Sequence, residues 1–437
     1  GNAAAGGFGV AVQRARDLDF VRASFPALAN GWVYLDNGGG SQIAQPVLDR
    51  LRDFLVTSNV QLGASYEPSR VAGRRMAEAR RAAAILLNAE DPHEVVMGPS
   101  TTVLLRTLAQ SVGRVLAPGD EVVVTRGDHE ANIGPWLELE GKGATIRWWE
   151  VDPRTGELTL EALDAVLGPR TRLVAMTHAS NILGSINPVR AVADRVHRHG
   201  ALLCVDGVGF APHRAVDVRA LDADFYAFSF YKTFGPHHAV LYGKKRHLLD
   251  LPGHAFYFVG EDDVPYKFQP GNVNYELSYS VVGLLEYLEG LAGRGPGTGL
   301  RGGPAAGSGP SQAGGRERRR AVELAFDLIA RHEERLAQPL LDFLQGRDSV
   351  RIVGDASADR QARVPIVSFV SSRTASRDVV EAVDGHRIGI RFGHFYSARL
   401  VERLDLPDPD GVVRVSMVHY NTEDEIRRLV ETLDPLV

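Results

Sequence analysis

The sequence predicts an α/β fold: a large domain with a mostly parallel sheet covered by helices, plus a smaller C-terminal α+β domain. Three observations lead there. Strand-length runs that are apolar throughout alternate with segments of helical apolar spacing from about Val95 onward, the pattern of a parallel sheet buried on both faces. Polar residues follow the ends of several of these runs, at the sheet edge where such folds gather ligands. Between Gly293 and Gly315 the composition turns to Gly, Pro, Ala and Ser with almost no large apolar residue, a stretch that cannot order itself by burial. The expected organisation is therefore an N-terminal segment 1–30, a large domain 31–290, a flexible insertion 291–316 and a small domain 317–437.

Composition narrows the class of partner. The chain has 437 residues, 44% hydrophobic and 24% charged, as an ordinary globular protein does. Lys and Arg total 49 against 54 Asp and Glu, a net charge of −5, so no basic excess argues for nucleic acid or an acidic membrane surface. A small-molecule ligand is the expected partner. No apolar run approaches the roughly 18 residues of a membrane span, and the Gly/Ala-rich start has no charged leader followed by a compact apolar segment. A cytoplasmic protein is expected. The one cysteine, Cys204, rules out an intrachain disulfide and a Cys-rich metal site, and the 14 histidines show no H-E-x-x-H spacing. No metal is expected.

The elements follow in order. Val33-Tyr-Leu-Asp-Asn37 is a short apolar run emptying into Gly38-Gly-Gly-Ser41, where the backbone can approach a ligand closely. Pro46 to Val56 and Ser69 to Leu87 carry helical spacing and read as scaffold. Val95-Val-Met-Gly-Pro-Ser100-Thr-Thr102 passes from a strand into a helix with Val103, Leu104, Leu105, Leu108 and Val112 at helical intervals. Hydroxyls at a helix N-terminus make a phosphate cradle, with plain capping as the alternative. The alternation continues through Glu121–Thr125, Thr145–Trp149, a helix Leu160–Leu167, Arg172–Thr177, a helix to His199 and Ala201–Val205. After the loop Phe268-Gln-Pro-Gly-Asn272 comes an apolar helix to Leu291; after the insertion, a long helix from Arg318 to Leu344 and two further alternating stretches. In the last of these, Arg391 and Arg414 stand at strand positions where a surface charge is out of character. They read as forks for a carboxylate or as structural ion pairs.

The polar residues at the strand ends specify the chemistry. His129 and Asn132 follow the first run, His178 and Asn181 the next, then Asp206, then Lys232. Lys232 closes the aromatic stretch Asp224-Phe-Tyr-Ala-Phe-Ser-Phe-Tyr-Lys232, where burial favours the neutral amine that attacks carbonyls. Asp206 ends a strand that otherwise needs no charge, so its carboxylate is expected to face a cation. An imine-forming lysine, an aspartate for a ring nitrogen, an aromatic ring to stack and a hydroxyl-lined helix start together describe pyridoxal 5′-phosphate. Flavin or nicotinamide would call for G-x-G-x-x-G directly after the first strand, and no such run stands there. Cys204 and Trp148-Trp149 read as core filling and cover.

With these residues in place, the chain resembles the class V aminotransferases, in particular the cysteine desulfurase and selenocysteine lyase group, from about Val33 to the C-terminus. The stretches that carry the resemblance are Tyr34-Leu-Asp-Asn37, Ser100-Thr-Thr102, His129-Glu-Ala-Asn-Ile-Gly-Pro-Trp136, Ser180-Asn-Ile-Leu-Gly184, Val205-Asp-Gly207 and Ala211-Pro-His213. The intervals match as well: 52 residues from His129 to Asn181, 25 to Asp206 and 26 to Lys232. The resemblance implies the fold type I architecture of pyridoxal-phosphate enzymes and a homodimer with active sites at the subunit interface. It also implies roles: His129 stacking on the ring, Asn181 at the ring oxygen, Asp206 at the ring nitrogen, Lys232 as Schiff-base lysine and Thr101, Thr102 and Ser229 on the phosphate. Asn272 would reach the partner's phosphate, and Asn37, Arg391, His394, Tyr396 and Arg414 would face the substrate, Arg414 holding its α-carboxylate.

Departures bear on the reaction. Desulfurases carry R-T-G-H-H-C where this chain has Arg391-Phe-Gly-His-Phe-Tyr396, so a tyrosine stands in place of the persulfide-forming cysteine. The family's residue beside the ring hydroxyl is Gly209, the one before the lysine is Tyr231, and the threonine of the partner-facing loop is Asn272. The likeness is nearest to a cysteine-desulfurase-like subgroup sharing G-H-x-Y and the ending V-H-Y-N-T. The expected function is a pyridoxal-phosphate enzyme in which an amino-acid substrate displaces Lys232 from its imine and undergoes β-elimination of the C–S lyase type. Transamination or epimerisation on the same cofactor is the alternative, and a non-catalytic pyridoxal-phosphate-binding module is the alternative of another class.

Overall fold

The computed structural model describes residues 17–293, 312–407 and 409–437. Within them the strands are, in chain order, β1 (Val33–Tyr34), β2 (Val95–Gly98), β3 (Glu121–Thr125), β4 (Thr145–Trp149), β5 (Thr171–Thr177), β6 (Leu202–Asp206), β7 (Phe225–Ser229), β8 (Ala239–Gly243), β9 (Val350–Val353), β10 (Ile366–Ser371), β11 (Ile388–Gly389), β12 (Arg391–Gly393) and β13 (Val412–Ser416).

The large sheet has seven strands in the order β2-β8-β7-β6-β5-β3-β4. The pairs from β4 through β7 are parallel, while β8 runs against both β7 and β2. The strands are apolar throughout because both faces are covered. Val123, Val174 and Met176 enter one core cluster, whereas Val122, Val124, Leu173, Ala175 and Cys204 enter another, since successive side chains of a strand point to opposite faces. Helices supply the cover. The Thr101–Gly113 helix buries Leu104, Leu105, Leu108 and Val112 on one face, and Tyr275–Ala292, apolar nearly all round, is sandwiched among the Gln45–Thr57, Glu67–Leu87 and Gln312–Gln345 helices.

The antiparallel sheet β12-β13-β10-β9 builds the second core with the C-terminal half of the Gln312–Gln345 helix and the Glu423–Leu433 helix. The segment around β1 joins this core although it lies far upstream. Val33 pairs with Ile388 in a parallel two-stranded sheet, Asp36 bridges Ser416, and Val33 and Leu35 are buried among C-terminal residues. Three local differences from the sequence reading stand out. Strand β8 went unforeseen, the helix from Leu160 ends at Asp164 rather than Leu167, and helix already covers Leu291 and Ala292 and resumes at Gln312. The rest of the predicted insertion, 294–311, lies outside the described residues.

Candidate active site

Parallel strands that end along one line bring their following residues together. A cavity of about 690 Å³, measured out to its open mouth, lies there. Asn37, Thr101, Thr102, His129, Asn181, Asp206, Ser229 and Lys232 all line it, from residues far apart in the chain.

One end of the cavity is a hydroxyl cradle. Ser100 is the N-cap of the Thr101–Gly113 helix and accepts from the Val103 amide at 3.2 Å, so the cap belongs to Ser100 and leaves the threonines to another use. Thr101 Oγ1 and Ser229 Oγ lie 2.7 Å apart, and the Thr101 amide donates to Ser229 Oγ at 3.3 Å. Hydroxyls from two elements thus converge beside the positive end of a helix of 13 residues.

The reactive groups stand further along. Lys232 ends a short 3-10 turn following β7. Burial first, then the Arg414 charge, lower its amine from 10.5 to about 8, with Asp206 and Asp36 opposing. Asp206 is 4% exposed and accepts from the Val208 amide at 2.9 Å. Burial raises its carboxyl, against the pull of that amide and of Lys232. The His129 ring accepts at Nδ1 from the Ala131 amide at 3.0 Å and is pushed down to about 4 by burial, then by Lys232 and Arg414. It is a neutral ring at physiological pH. Gly209 lines the wall, and a Cβ there would come within 2.6 Å of the Ala179 carbonyl oxygen. This wall is closed by backbone where the resembled enzymes carry a side chain.

A second group of residues comes from the C-terminal half. Arg414 is 2% exposed, with its guanidinium 3.8 Å from the Phe395 ring centre. Its Nη1 donates to the Asn181 carbonyl at 3.3 Å, its Nη2 to Asp36 Oδ1 at 3.3 Å, and its Nε has no partner. Burial lowers it to about 10, with Asp36 opposing. Arg391, directly across from Arg414 in the β12–β13 register, pairs with Asp36 Oδ2 at 2.8 Å. Of the two sequence readings of these arginines, the ion pair is what the structure displays, with Asp36 shared between them. Phe395 and Tyr396 have φ of 51° and 60°, the left-handed region that non-glycine residues rarely adopt. Hydrogen bonds hold them so: Asn181 Nδ2 donates to Phe395 O at 3.0 Å, Ser397 Oγ to Asn181 Oδ1 at 2.7 Å and the Glu130 amide to Tyr396 O at 2.8 Å. The Tyr396 ring lies 5.4 Å from the His129 ring, and His394 Nδ1 accepts from the Tyr396 amide at 3.1 Å.

Several predicted residues behave differently from expectation. His178 and Asn132 follow strands of the site but turn away: His178 stacks on Phe210 at 3.5 Å and bonds the Tyr226 hydroxyl, and Asn132 donates to Asp128. Asn37 touches the cavity, yet its amide serves the carbonyls of Tyr34 and Ser416, Asn421 and the Tyr420 hydroxyl. It braces the loop and has no free amide for a substrate. Asn181, expected at a ring oxygen, lines the cavity; its Nδ2 donates to Phe395 O and its Oδ1 accepts from Ser397. Asn272 sits outside the cavity of its own chain and donates to Gln61 at 3.2 Å. The sequence reading missed Asp36 as a partner of both arginines, and missed Asp128. The latter is 1% exposed, accepts from Thr125, Asn132 and the Thr177 amide, and is pushed up to about 7 by burial first, with Asp206 adding to the shift. Asp36 stood inside a quoted motif; its partners, hundreds of residues away, left no local signal.

The residues present fit pyridoxal 5′-phosphate: hydroxyls at a helix start for a phosphate, a buried carboxylate, a lysine lowered toward neutrality and a neutral ring on one cavity. Comparison with known proteins agrees. The family model described as aminotransferase class-V matches residues 33–292 and 319–429. The aminotransferase-like protein FGM3 of Gibberella zeae is 40% identical over 425 residues, 95% of this chain and 98% of that one. The cysteine desulfurase-like protein ustD of Aspergillus flavus is 32% identical, across 96% of this chain and 91% of its own. Among solved structures, the cysteine desulfurase CsdA of Escherichia coli superposes with a TM-score of 0.78 at 26% identity, covering 96% of this chain and 98% of the other.

Proposed function

The chain belongs to the class V aminotransferases, a family of pyridoxal-phosphate enzymes, and on that premise we propose that it eliminates a substituent from the β-carbon of an amino acid, as a C–S lyase does, without using a thiol of its own. The observation that carries this reading is the position of Cys204, the one cysteine in the sequence. It is fully buried in the middle of β6, and burial pushes its thiol well up, the opposite of a mobile nucleophile. At the loop where the desulfurases it resembles carry their cysteine stands Tyr396.

The other side chains take roles suited to that chemistry. Bound pyridoxal phosphate supplies the electron sink for charge developing at the substrate α-carbon. Thr101, Thr102 and Ser229 would hold the phosphate at the helix start, and Asp206 would keep a proton on the ring nitrogen. His129 covers the ring as a neutral aromatic face, adding no charge. Lys232, lowered to about 8, gives up its proton far more readily than a solvated lysine, and its free amine takes the α-proton. Arg414 pairs with the α-carboxylate, which replaces contacts now made at 3.3 Å. Asn181 ties the 395–397 loop to the sheet and keeps Phe395 over the fork. A cytoplasmic homodimer in which Asn272 approaches the partner's phosphate accords with its place outside the cavity of its own chain.

Incubation of the purified protein with a panel of amino acids, following pyruvate, sulfide, keto acids and pyridoxamine phosphate, tests the proposal. Keto acid with sulfide from a β-thiol substrate, and no persulfide on the protein, is the expected result. Accumulation of pyridoxamine phosphate would assign transamination, racemised substrate epimerisation, and an intact imine with no turnover a binding module.

A further inference from the structure

Asp36 stands between two cations. Its Oδ2 is 2.8 Å from Arg391 and its Oδ1 is 3.3 Å from Arg414, so one carboxylate serves two guanidiniums that face each other across β12 and β13. The two ends differ in kind. The Arg391 side chain is 58% exposed and holds the shorter contact, whereas that of Arg414 is 2% exposed and holds only long contacts, with Nε free. Gly38 leaves the approach to the buried fork open, since a Cβ there would come within 3.1 Å of the Arg414 guanidinium carbon.

We propose that Asp36 is a resident counter-anion that competes with the substrate carboxylate for Arg414 and shifts wholly onto Arg391 when that carboxylate arrives. The proposal rests on the reading of Arg414 as the carboxylate site. A buried guanidinium without an anion is unfavourable, and Asp36 prevents that state between turnovers. When a carboxylate enters, two anions face two cations and each arginine takes one. Without Asp36, the entering anion would meet both positive charges alone and be held more tightly, slowing its release. Asp36 is thus a positioning residue acting through Arg414, and it sets the affinity of the site downward.

The test uses the holoenzyme and acetate as a minimal carboxylate, titrated by calorimetry. Asp36→Asn should bind acetate about tenfold more tightly, the loss of one competing charge at close range. Arg391→Gln should weaken acetate several-fold, because Asp36 then has no other cation to take, and Arg391→Lys should restore most of the affinity. In the Asp36→Asn background the same Arg391→Gln change should lose most of its effect, which a merely structural role for Arg391 would not produce. Unchanged or weaker binding by Asp36→Asn, with acetate still dependent on Arg414, overturns the proposal and leaves the carboxylate site standing. Acetate binding that survives Arg414→Gln overturns both. If Asp36→Asn does not fold, the Arg391 pair decides: unchanged or tighter binding by Arg391→Gln, or no rescue by lysine, refutes the competition.

Discussion

Replacing Lys232 with methionine should make the cofactor-free protein more stable, by an amount that disappears as pH rises. Folding lowers the amine from 10.5 to about 8, by burial first and then by Arg414. Below pH 8 the folded and unfolded chains both carry the proton, and the folded chain bears the whole unfavourable difference, about 3 kcal/mol at 1.36 kcal/mol per pH unit. Between about pH 8 and 10.5 the folded chain releases a proton that the unfolded chain keeps, so wild-type stability climbs with pH; above 10.5 both are neutral and the difference is gone. Methionine has similar length and never carries the proton. Lys232→Met should therefore exceed wild type by about 3 kcal/mol at pH 7, with the gap closing toward pH 10.5. Any change in packing adds a constant that does not vary with pH, so the slope of the gap is the readout. Urea unfolding followed by tryptophan fluorescence at pH 7, 8.5 and 10, with cofactor removed, measures it. A gap of the same size at pH 7 and pH 10 would refute the claim that the fold holds this amine toward neutrality. Arg414→Gln, which removes the second cause, should shrink the gap at pH 7.

Three other outcomes are expected. Borohydride reduction of the holoenzyme should fix the cofactor's mass onto the peptide containing Lys232, and a label on a different lysine would move the imine elsewhere. Cys204→Ala should keep most of the turnover and lose about 1 kcal/mol of stability from a small cavity; in the native wild type a thiol reagent should react with Cys204 only after denaturation. Gly209→Ala sets a methyl against the Ala179 carbonyl, so a loss of about 1–3 kcal/mol from overpacking is expected by thermal or urea unfolding, and an unchanged midpoint would show that this wall yields.

Much of the large domain was legible because its strands report themselves. Glu121–Thr125, Arg172–Thr177 and Ala201–Val205 are apolar at nearly every position, which a sheet buried on both faces requires and an exposed one does not. The site was legible for the same reason, since His129, Asn181, Asp206 and Lys232 each follow such a run. Strand β8 escaped because Ala239-Val-Leu-Tyr-Gly sits just beyond a Gly-Pro break and carries no local mark of its reversed direction. The ion triad of Asp36, Arg391 and Arg414 escaped for a different reason: partners 378 residues apart meet only once β1 has entered the C-terminal core. Nor does a sequence show where an amide is already engaged, so Asn37 looked available when the fold had already occupied it.

The strained turn at Phe395 and Tyr396 belongs to one core and is fastened to strand ends of the other. On the roles proposed above, the residues that would hold the coenzyme, from Thr101 to Lys232, stand around the large sheet, whereas the turn from His394 to Ser397 follows β12 of the smaller one. Substitution of His394 or Tyr396 should therefore change which amino acids are accepted while coenzyme binding is retained.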